Sequence, residues 1–163
     1  MKLRILATIV LAQLCLIAPA KAYLPQDLEQ LKQTGDCPRC DLSGAPLNEL
    51  NNQLNLVGAN LRDANLNRAN MSQVNLEGAD LSGANLEIAD LSGAILTGAS
   101  LTGVNFKSAN LQDANLTRAG MIATNLEGAN LKGAKMLFTN FRGAKFRLTT
   151  MPNGSVTPDN RYW

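Results

Sequence analysis

The residues whose types and spacing could support chemistry are few, and the clearest are Cys37 and Cys40 in the sequence Cys-Pro-Arg-Cys. Such a pair can form a structural disulfide or a redox-active dithiol. Redox proteins place it at the start of a helix in a βαβ unit, a context that this chain lacks. A zinc site would need further ligands, and the chain contains no histidine. We expect a structural disulfide, with thiol–disulfide exchange as the alternative.

No other pattern in the chain indicates catalysis or cofactor binding. We find no serine nucleophile motif and no phosphate-binding glycine loop, and the carboxylates are spread along the chain rather than gathered. We therefore predict no catalytic residues, no metal and no cofactor. An enzyme is the least favoured class of protein.

Most of the chain is a five-residue repeat that runs from residue 55 to residue 147. Each unit has a large apolar residue, which we call its centre. Two places before the centre, 14 of 18 positions are Ala, and directly before it 14 of 19 are Asn or Asp. The 19 centres are Leu56, Leu61, Leu66, Met71, Leu76, Leu81, Leu86, Leu91, Leu96, Leu101, Phe106, Leu111, Leu116, Met121, Leu126, Leu131, Met136, Phe141 and Phe146.

A period of five fits neither a continuous strand nor a helix, but it fits a short extended piece followed by a bend. The centre and the residue two before it share one face of the extended piece, which must point inward because both are apolar. Gly stands two places after the centre in 9 of 19 units, where a turn would require a positive φ. Such a chain coils, and successive coils can pair at about the 4.8 Å spacing of strands.

The repeat resembles the pentapeptide-repeat family, whose consensus is Ala-(Asp/Asn)-Leu-x-x, from Asp41 to about Arg147. The resemblance implies an all-β solenoid, a right-handed quadrilateral β-helix with 20 residues per coil and about five coils. It implies that Asn65, Asn85, Asn105 and Asn125 stack as an outward ladder. It further implies interior columns such as Leu56, Leu76, Leu96, Leu116 and Met136, or Leu66, Leu86, Phe106, Leu126 and Phe146.

Residues 1–22 are predicted to be a secretory signal peptide. Lys2 and Arg4 precede an apolar run, and Ala20-Lys21-Ala22 is a cleavage pattern that makes Tyr23 the first mature residue. An uncleaved anchor is the alternative; after cleavage we predict no stable membrane insertion. Together with a helix and a Cys pair before the repeat, this resembles exported pentapeptide-repeat proteins of cyanobacteria, which implies the thylakoid lumen or the periplasm.

The flanking segments are predicted to close the ends of the stack. In residues 23–36, the spacing of Leu24, Leu28 and Leu31 indicates an amphipathic helix that caps the N-terminal end of the repeat domain, residues 37–147. Residues 148–163 are predicted to form a turn and a tail in which Tyr162 or Trp163 covers the last coil, or which binds a partner or is disordered.

The repeat begins irregularly. Leu42 and Leu47 fit as centres, but the next secure centre, Leu56, follows Leu47 by nine residues rather than ten. The spacing predicts a one-residue deletion, absorbed by residues 48–54 as an irregular side or small loop.

Charge is unevenly distributed along the predicted mature chain, which carries about −1 in total. Residues 23–100 carry −6 and residues 101–163 carry +5. The resulting dipole could promote weak head-to-tail or end-to-end self-association at low salt. Solubilising charge without further purpose is the alternative interpretation.

Three outward apolar residues, Ile122, Leu137 and Phe138, fall close together in the least regular units. Scattered exposed apolar residues are ordinary, but a cluster of them can mark a contact surface. We therefore take these three as a candidate contact patch for a protein partner.

The sequence as a whole predicts an exported, rigid, non-catalytic scaffold or protein-interaction module, with an unidentified protein as its partner. One alternative is thiol–disulfide activity at Cys37 and Cys40. Another is mimicry of duplex DNA, as in cytoplasmic family members that inhibit gyrase. Those proteins are strongly acidic dimers, whereas this chain is nearly neutral and predicted to be exported, so we expect no nucleic-acid partner.

Overall fold

A computed structural model of the chain describes residues 23–50 and 55–158. Helix α1 spans Pro25–Thr34, and a single 3-10 turn spans Leu47–Leu50. The rest of the described chain consists of short extended pieces joined by turns and paired through isolated β-bridges. No helix in this part of the chain is long and apolar enough to cross a membrane. The predicted signal peptide, residues 1–22, lies outside the described residues.

Parallel β-bridges join residues that are 20 positions apart, so one coil comprises four five-residue units. The residue before each centre is the bridged one, and these residues form four columns, which define four sides of the stack. Side A contains Asn75, Ile95, Asn115 and Lys135; side B contains Asn60, Asp80, Ser100, Gly120 and Asn140; side C contains Asn65, Asn85, Asn105, Asn125 and Lys145; side D contains Asn70, Asp90, Asn110, Asn130 and Thr150.

Three backbone patterns hold each coil to the next, and in one of them the N–H of the residue before a centre donates to the carbonyl 21 positions earlier, as Asp80 does to Ala59 at 2.9 Å. The N–H of a centre donates to the carbonyl of the residue 19 positions later, as Leu81 does to Ser100 at 2.9 Å. The N–H two places after the centre donates to the carbonyl 19 positions beyond it, as Gly83 does to Thr102 at 2.9 Å. These bonds fix the 20-residue period, and the interior columns that the resemblance implied follow from it.

The interior is filled by the centres and by the small residues two places before them. Every centre from Leu56 to Leu131 is buried, as are the alanines between them. Thr124 replaces one alanine and is also buried, because its hydroxyl donates to the carbonyl of Met121 at 3.0 Å. Each buried leucine contributes about 1.5–3 kcal/mol.

A turn closes each unit, with the carbonyl of the centre accepting the N–H three residues later, as between Leu56 and Ala59 at 3.1 Å. The residue two places after the centre has a positive φ in all 19 units, of which only nine have Gly there. The remaining units force a side chain into the left-handed region, Ile88 at φ 60° among them. For a β-branched residue this conformation is strained.

The pairing of the first coil shows that the one-residue deletion predicted for residues 48–54 is wrong. Asp41 is bridged to Asn65 and Pro46 to Asn70, so these partners are 24 positions apart instead of 20. The nine residues from Leu47 to Leu56 are therefore one five-residue unit with four inserted residues. They are not two units from which one residue has been deleted. The sequence spacing alone could not separate these alternatives, because only the pairing between coils shows which centre lies above which.

Helix α1 covers the N-terminal end of the stack with Leu28 and Leu31, both buried. The carboxylate of Asp27 accepts the backbone N–H of Asp41 at 2.7 Å, and that of Asp36 accepts the N–H of Asn60 at 2.7 Å. These side chains replace the carbonyls that a preceding coil would supply. The helix is shorter than the predicted segment 23–36, since Gly35 ends it with φ 75°.

At the other end the chain turns back on itself. Val156 forms an antiparallel bridge with Thr150, while the N–H of Leu148 donates to the carbonyl of Thr157 at 2.9 Å. Segment 155–157 thus covers part of the last coil. The predicted aromatic lid, Tyr162 or Trp163, lies outside the described residues.

Replacement of the buried Leu91 by Arg should abolish cooperative folding, because a charge would enter an interior that offers it no partner. Leu91→Ala should instead leave a folded protein that is about 2–5 kcal/mol less stable. Thermal and urea unfolding followed by circular dichroism measure both effects. A soluble, cooperatively melting Leu91→Arg protein would contradict the described interior.

The turn geometry makes two substitutions differ in cost. Gly98→Ala should destabilise by about 1 kcal/mol through its positive φ alone, since an added Cβ meets nothing within 4 Å. Ile88→Gly should change stability by less, because relief of strain offsets the greater freedom of Gly in the unfolded chain. Urea unfolding of the two variants tests this difference, and a larger loss for Ile88→Gly would refute it.

Candidate partner-binding surface

The asparagines before the centres are outward-facing but already engaged. On side C, Asn125 donates its side-chain N–H to Asn105 Oδ1 at 3.2 Å, and Asn105 donates likewise to Asn85 at 3.2 Å. The same Asn105 Oδ1 accepts the backbone N–H of Lys107 at 3.2 Å. These side chains join coils and fix turns, so the partner-facing positions are mainly the two after each centre.

Two ion pairs also run from coil to coil along the surface. Arg62 contacts the carboxylate of Asp80 at 3.0 Å, and Arg147 contacts Glu127 at 3.0 Å. Burial by itself would raise the pKa of Asp80, but hydrogen bonds from Ser82 and Arg62 outweigh it and lower that pKa. Exposed pairs of this kind stabilise a fold only slightly.

Cys37 and Cys40 form one complete unit of the first coil. The N–H of Cys37 donates to the carbonyl of Asn60 at 2.8 Å, as a centre does, and Cys40 takes the place of the alanine before the next centre. Between them, Arg39 occupies the turn position with φ 62°. The two sulfurs are joined as a disulfide, and both residues are buried, at 0% and 5% exposure. The structure therefore offers no exposed thiol at this pair.

The structure divides the three residues of the candidate contact patch. Leu137 and Phe138 form the turn before side B of the last coil and are 63% and 73% exposed. Ile122 is largely covered rather than exposed, and it follows side B in the coil below, after Gly120. The width of side B thus separates Ile122 from the other two residues.

The sequence model of the family described as pentapeptide repeats matches eight copies in this chain, over residues 55–93, 84–121 and 109–147. These ranges cover more than half of the chain. The chain belongs to the pentapeptide repeat family. No curated protein matches it.

Solved structures of other pentapeptide repeat proteins are similar to the chain. Rfr23 from the cyanobacterium Cyanothece 51142 is 31% identical over 73% of this chain and 92% of its own, with a TM-score of 0.36. HetL from Nostoc sp. strain PCC 7120, involved in heterocyst differentiation regulation, is 28% identical over 75% of this chain and 66% of its own, with a TM-score of 0.33. AT2G44920 from the Arabidopsis thaliana thylakoid lumen is 25% identical over 61% and 69%, with a TM-score of 0.30.

Within the pentapeptide repeat, the last coil carries features that the contact patch did not include. Leu148 and Val156 are exposed beside it, and residues 128–158 contain five basic residues and no Asp or Glu. The five are Lys132, Lys135, Arg142, Lys145 and Arg147. The charge asymmetry of the sequence pointed to this end, but only the coil arrangement shows that Lys135, Arg142 and Lys145 belong to one layer.

No group of three or more His, Cys, Asp or Glu residues that could hold a metal occurs within residues 23–50 and 55–158. The outer positions of the described repeat carry polar, basic, acidic and apolar side chains, with Glu77 and Asp113 among the exposed acidic ones.

Loss of the disulfide should weaken the fold without abolishing it. By the chain-entropy argument, a loop this short contributes about 2 kcal/mol. Cys37→Ser/Cys40→Ser should lose more stability than Cys37→Leu/Cys40→Ala, since the second variant restores the usual residues of a pentapeptide unit and buries no hydroxyl. Urea unfolding of both variants and the wild type provides the comparison. Equal or greater loss in the Leu/Ala variant would contradict the assignment of this pair to a regular unit.

Proposed function

We propose that this pentapeptide repeat protein is an exported, rigid, non-catalytic scaffold that binds another protein. The observation that carries the proposal is the separation of roles in each unit: the centre, the small residue before it and the asparagine hold the stack together, leaving two outward positions free. Repeat solenoids commonly use such regular outer faces for protein interaction.

The filled interior supports a non-catalytic role. Leucine and alanine side chains occupy the space inside the described coils, where an enzyme would need a pocket with converging polar groups. The cysteine pair, the one feature that suggested redox chemistry, is buried in a disulfide beneath helix α1. A reduction potential below about −300 mV, the range of structural disulfides, would support a purely structural role.

Export rests on the sequence and on the chemistry of the cysteines. A signal-like segment precedes residue 23, and disulfides persist mainly in oxidising compartments. On the resemblance to exported family members of cyanobacteria, we place the protein in the thylakoid lumen or the periplasm.

Affinity capture from a lysate of the native organism tests the scaffold, with the oxidised 23–163 protein as bait. Wild type should retain a defined partner that Leu137→Ser/Phe138→Ser loses, because these are the most exposed large apolar side chains of the described residues. Ile122→Ser examines the residue across side B separately. Ile88→Ser/Ile95→Ser is the matched control, since it removes exposed apolar residues lower in the stack.

Failure of the wild type to retain any partner would contradict the scaffold function. A partner retained equally by all four proteins would support a scaffold but place its contact surface elsewhere on the repeat.

A further inference from the structure

The two ends of the stack differ in how their backbone groups are satisfied. At the N-terminal end, helix α1 covers the core, and Asp27 and Asp36 accept N–H groups that would otherwise lack a partner. At the C-terminal end, the backbone of segment 155–157 pairs with residues 148–151, and the hydroxyl of Thr157 donates to the carbonyl of Phe146. Sides A and B of the last coil are left without a covering strand in the described part of the chain.

These two sides present unpaired hydrogen-bond donors. The N–H groups of Met136, Phe138, Phe141 and Gly143 make no hydrogen bond within the described residues. In the coil below, the corresponding groups all donate upward; Met121, for example, donates to the carbonyl of Asn140 at 2.8 Å. We call residues 136–144 the open edge. An exposed edge of this kind is a template for an added strand.

The coil below shows how such a strand would lie. Asn140 donates its N–H to the carbonyl of Ala119 at 3.0 Å, and the carbonyls of Asn140 and Arg142 accept from Met121 and Ala123. An extended segment placed one coil higher would make the same bonds to Thr139, Phe141 and Gly143. Its middle side chain would then point toward the end of the core.

That end of the core is apolar. Phe141 is only partly buried and packs edge-to-face against Phe146, with the ring centroids 5.3 Å apart. An apolar residue in the middle of an added segment would cover Phe141, as each centre covers the one below it. The exposed Leu137 and Phe138 extend the apolar surface along the same edge.

The positive charge of the last coil favours an acidic residue directly before the apolar residue of the added segment. Arg142 occupies in the last coil the position that Arg62 occupies near the start, and Arg62 pairs with Asp80, which precedes the centre of the next coil. No ion pair satisfies Arg142 among the described residues. Lys135 and Lys145 add positive charge in the same layer. A second copy of this end would bring like charges together, which disfavours association of two C-terminal ends.

We propose that the open edge binds an extended acidic segment of a partner protein by β-augmentation. An Asp or Glu of the segment lies against Arg142, and the apolar residue that follows it covers Phe141. The proposal rests on the scaffold function and assigns it a location and a partner chemistry.

The probe is the capped peptide Ala-Asp-Leu-Ser-Gly-Ala-Asp-Leu-Ser-Gly, which repeats the unit at residues 79–83 and carries an Asp before each Leu. Added to the 23–163 protein, it should slow amide hydrogen exchange of Phe141 and Gly143 at least tenfold at saturation. Arg142→Glu should weaken peptide binding about tenfold or more. Arg62→Glu is the matched control and should leave binding unchanged, because its coil is already covered.

Four results would overturn the proposal. Amides already protected in the free protein at every concentration would mean that the chain covers its own edge. Protection that grows with protein concentration would identify a second copy as the occupant. Unchanged exchange at high peptide concentration would show that the open edge does not bind this segment. Equal binding of a peptide with Lys in place of Asp would show that the edge does not select acidic residues.

The lysate experiment separates this proposal from the scaffold function. A natural partner that wild type and Arg142→Glu retain equally would overturn the open edge as its binding site and leave the scaffold function standing. Absence of a partner for either protein would instead contradict the scaffold.

Discussion

The hydrogen bonds between successive coils are the constraint on which the rest of the structure depends. From Leu61 to Leu131 each centre donates its N–H to a carbonyl 19 residues later, so a residue keeps its neighbours in the adjoining coils only if the coil keeps its length. Interior residues then fall into columns, and asparagines stack on asparagines. The four-residue insertion between Leu47 and Leu56 is tolerated because Asp41 and Pro46 still pair with the coil above.

The same constraint creates a problem at each end, since the first and last coils have no neighbour to complete their bonds. The N-terminal end solves it with a helix and two carboxylates, which act as acceptors in place of backbone carbonyls. The cysteine unit beneath that helix ties the first coil covalently, where only one neighbouring coil can hold it. At the C-terminal end, within the described residues, the returning segment covers only part of the last coil. Exposed apolar side chains, positive charge and N–H groups without a described partner therefore lie close together there.

The proposed scaffold function rests on the positions that packing and bonds between coils leave free. The inward side chains pack in the core, and many of the asparagine amides form hydrogen bonds between coils. What remains is a stiff frame with variable outer positions. Such a frame loses little conformational entropy when it binds, because its backbone is already fixed. The filled interior leaves no room for a substrate among the described coils, and the disulfide offers no free thiol. Both features instead stiffen a surface that presents side chains at constant spacing.

The sequence by itself determined the period, the inward and outward positions and the turn. A five-residue pattern of Leu, Ala and Asn admits few chain paths, and the glycines marked the place where φ is positive. Leu28 and Leu31 likewise indicated a capping helix, and Cys37 and Cys40 a structural bridge. These are local properties that can be read from neighbouring residues.

The tertiary structure decided which unit lies above which, because pairing between residues 20 or 24 positions apart leaves no local mark in the sequence. It therefore decided that the gap before Leu56 is an insertion, that Cys37 and Cys40 form a regular unit, and that Ile122 lies across a side from Leu137 and Phe138. It also showed that Arg142 occupies the position of Arg62 at the other end of the stack, where no described residue pairs with it as Asp80 pairs with Arg62.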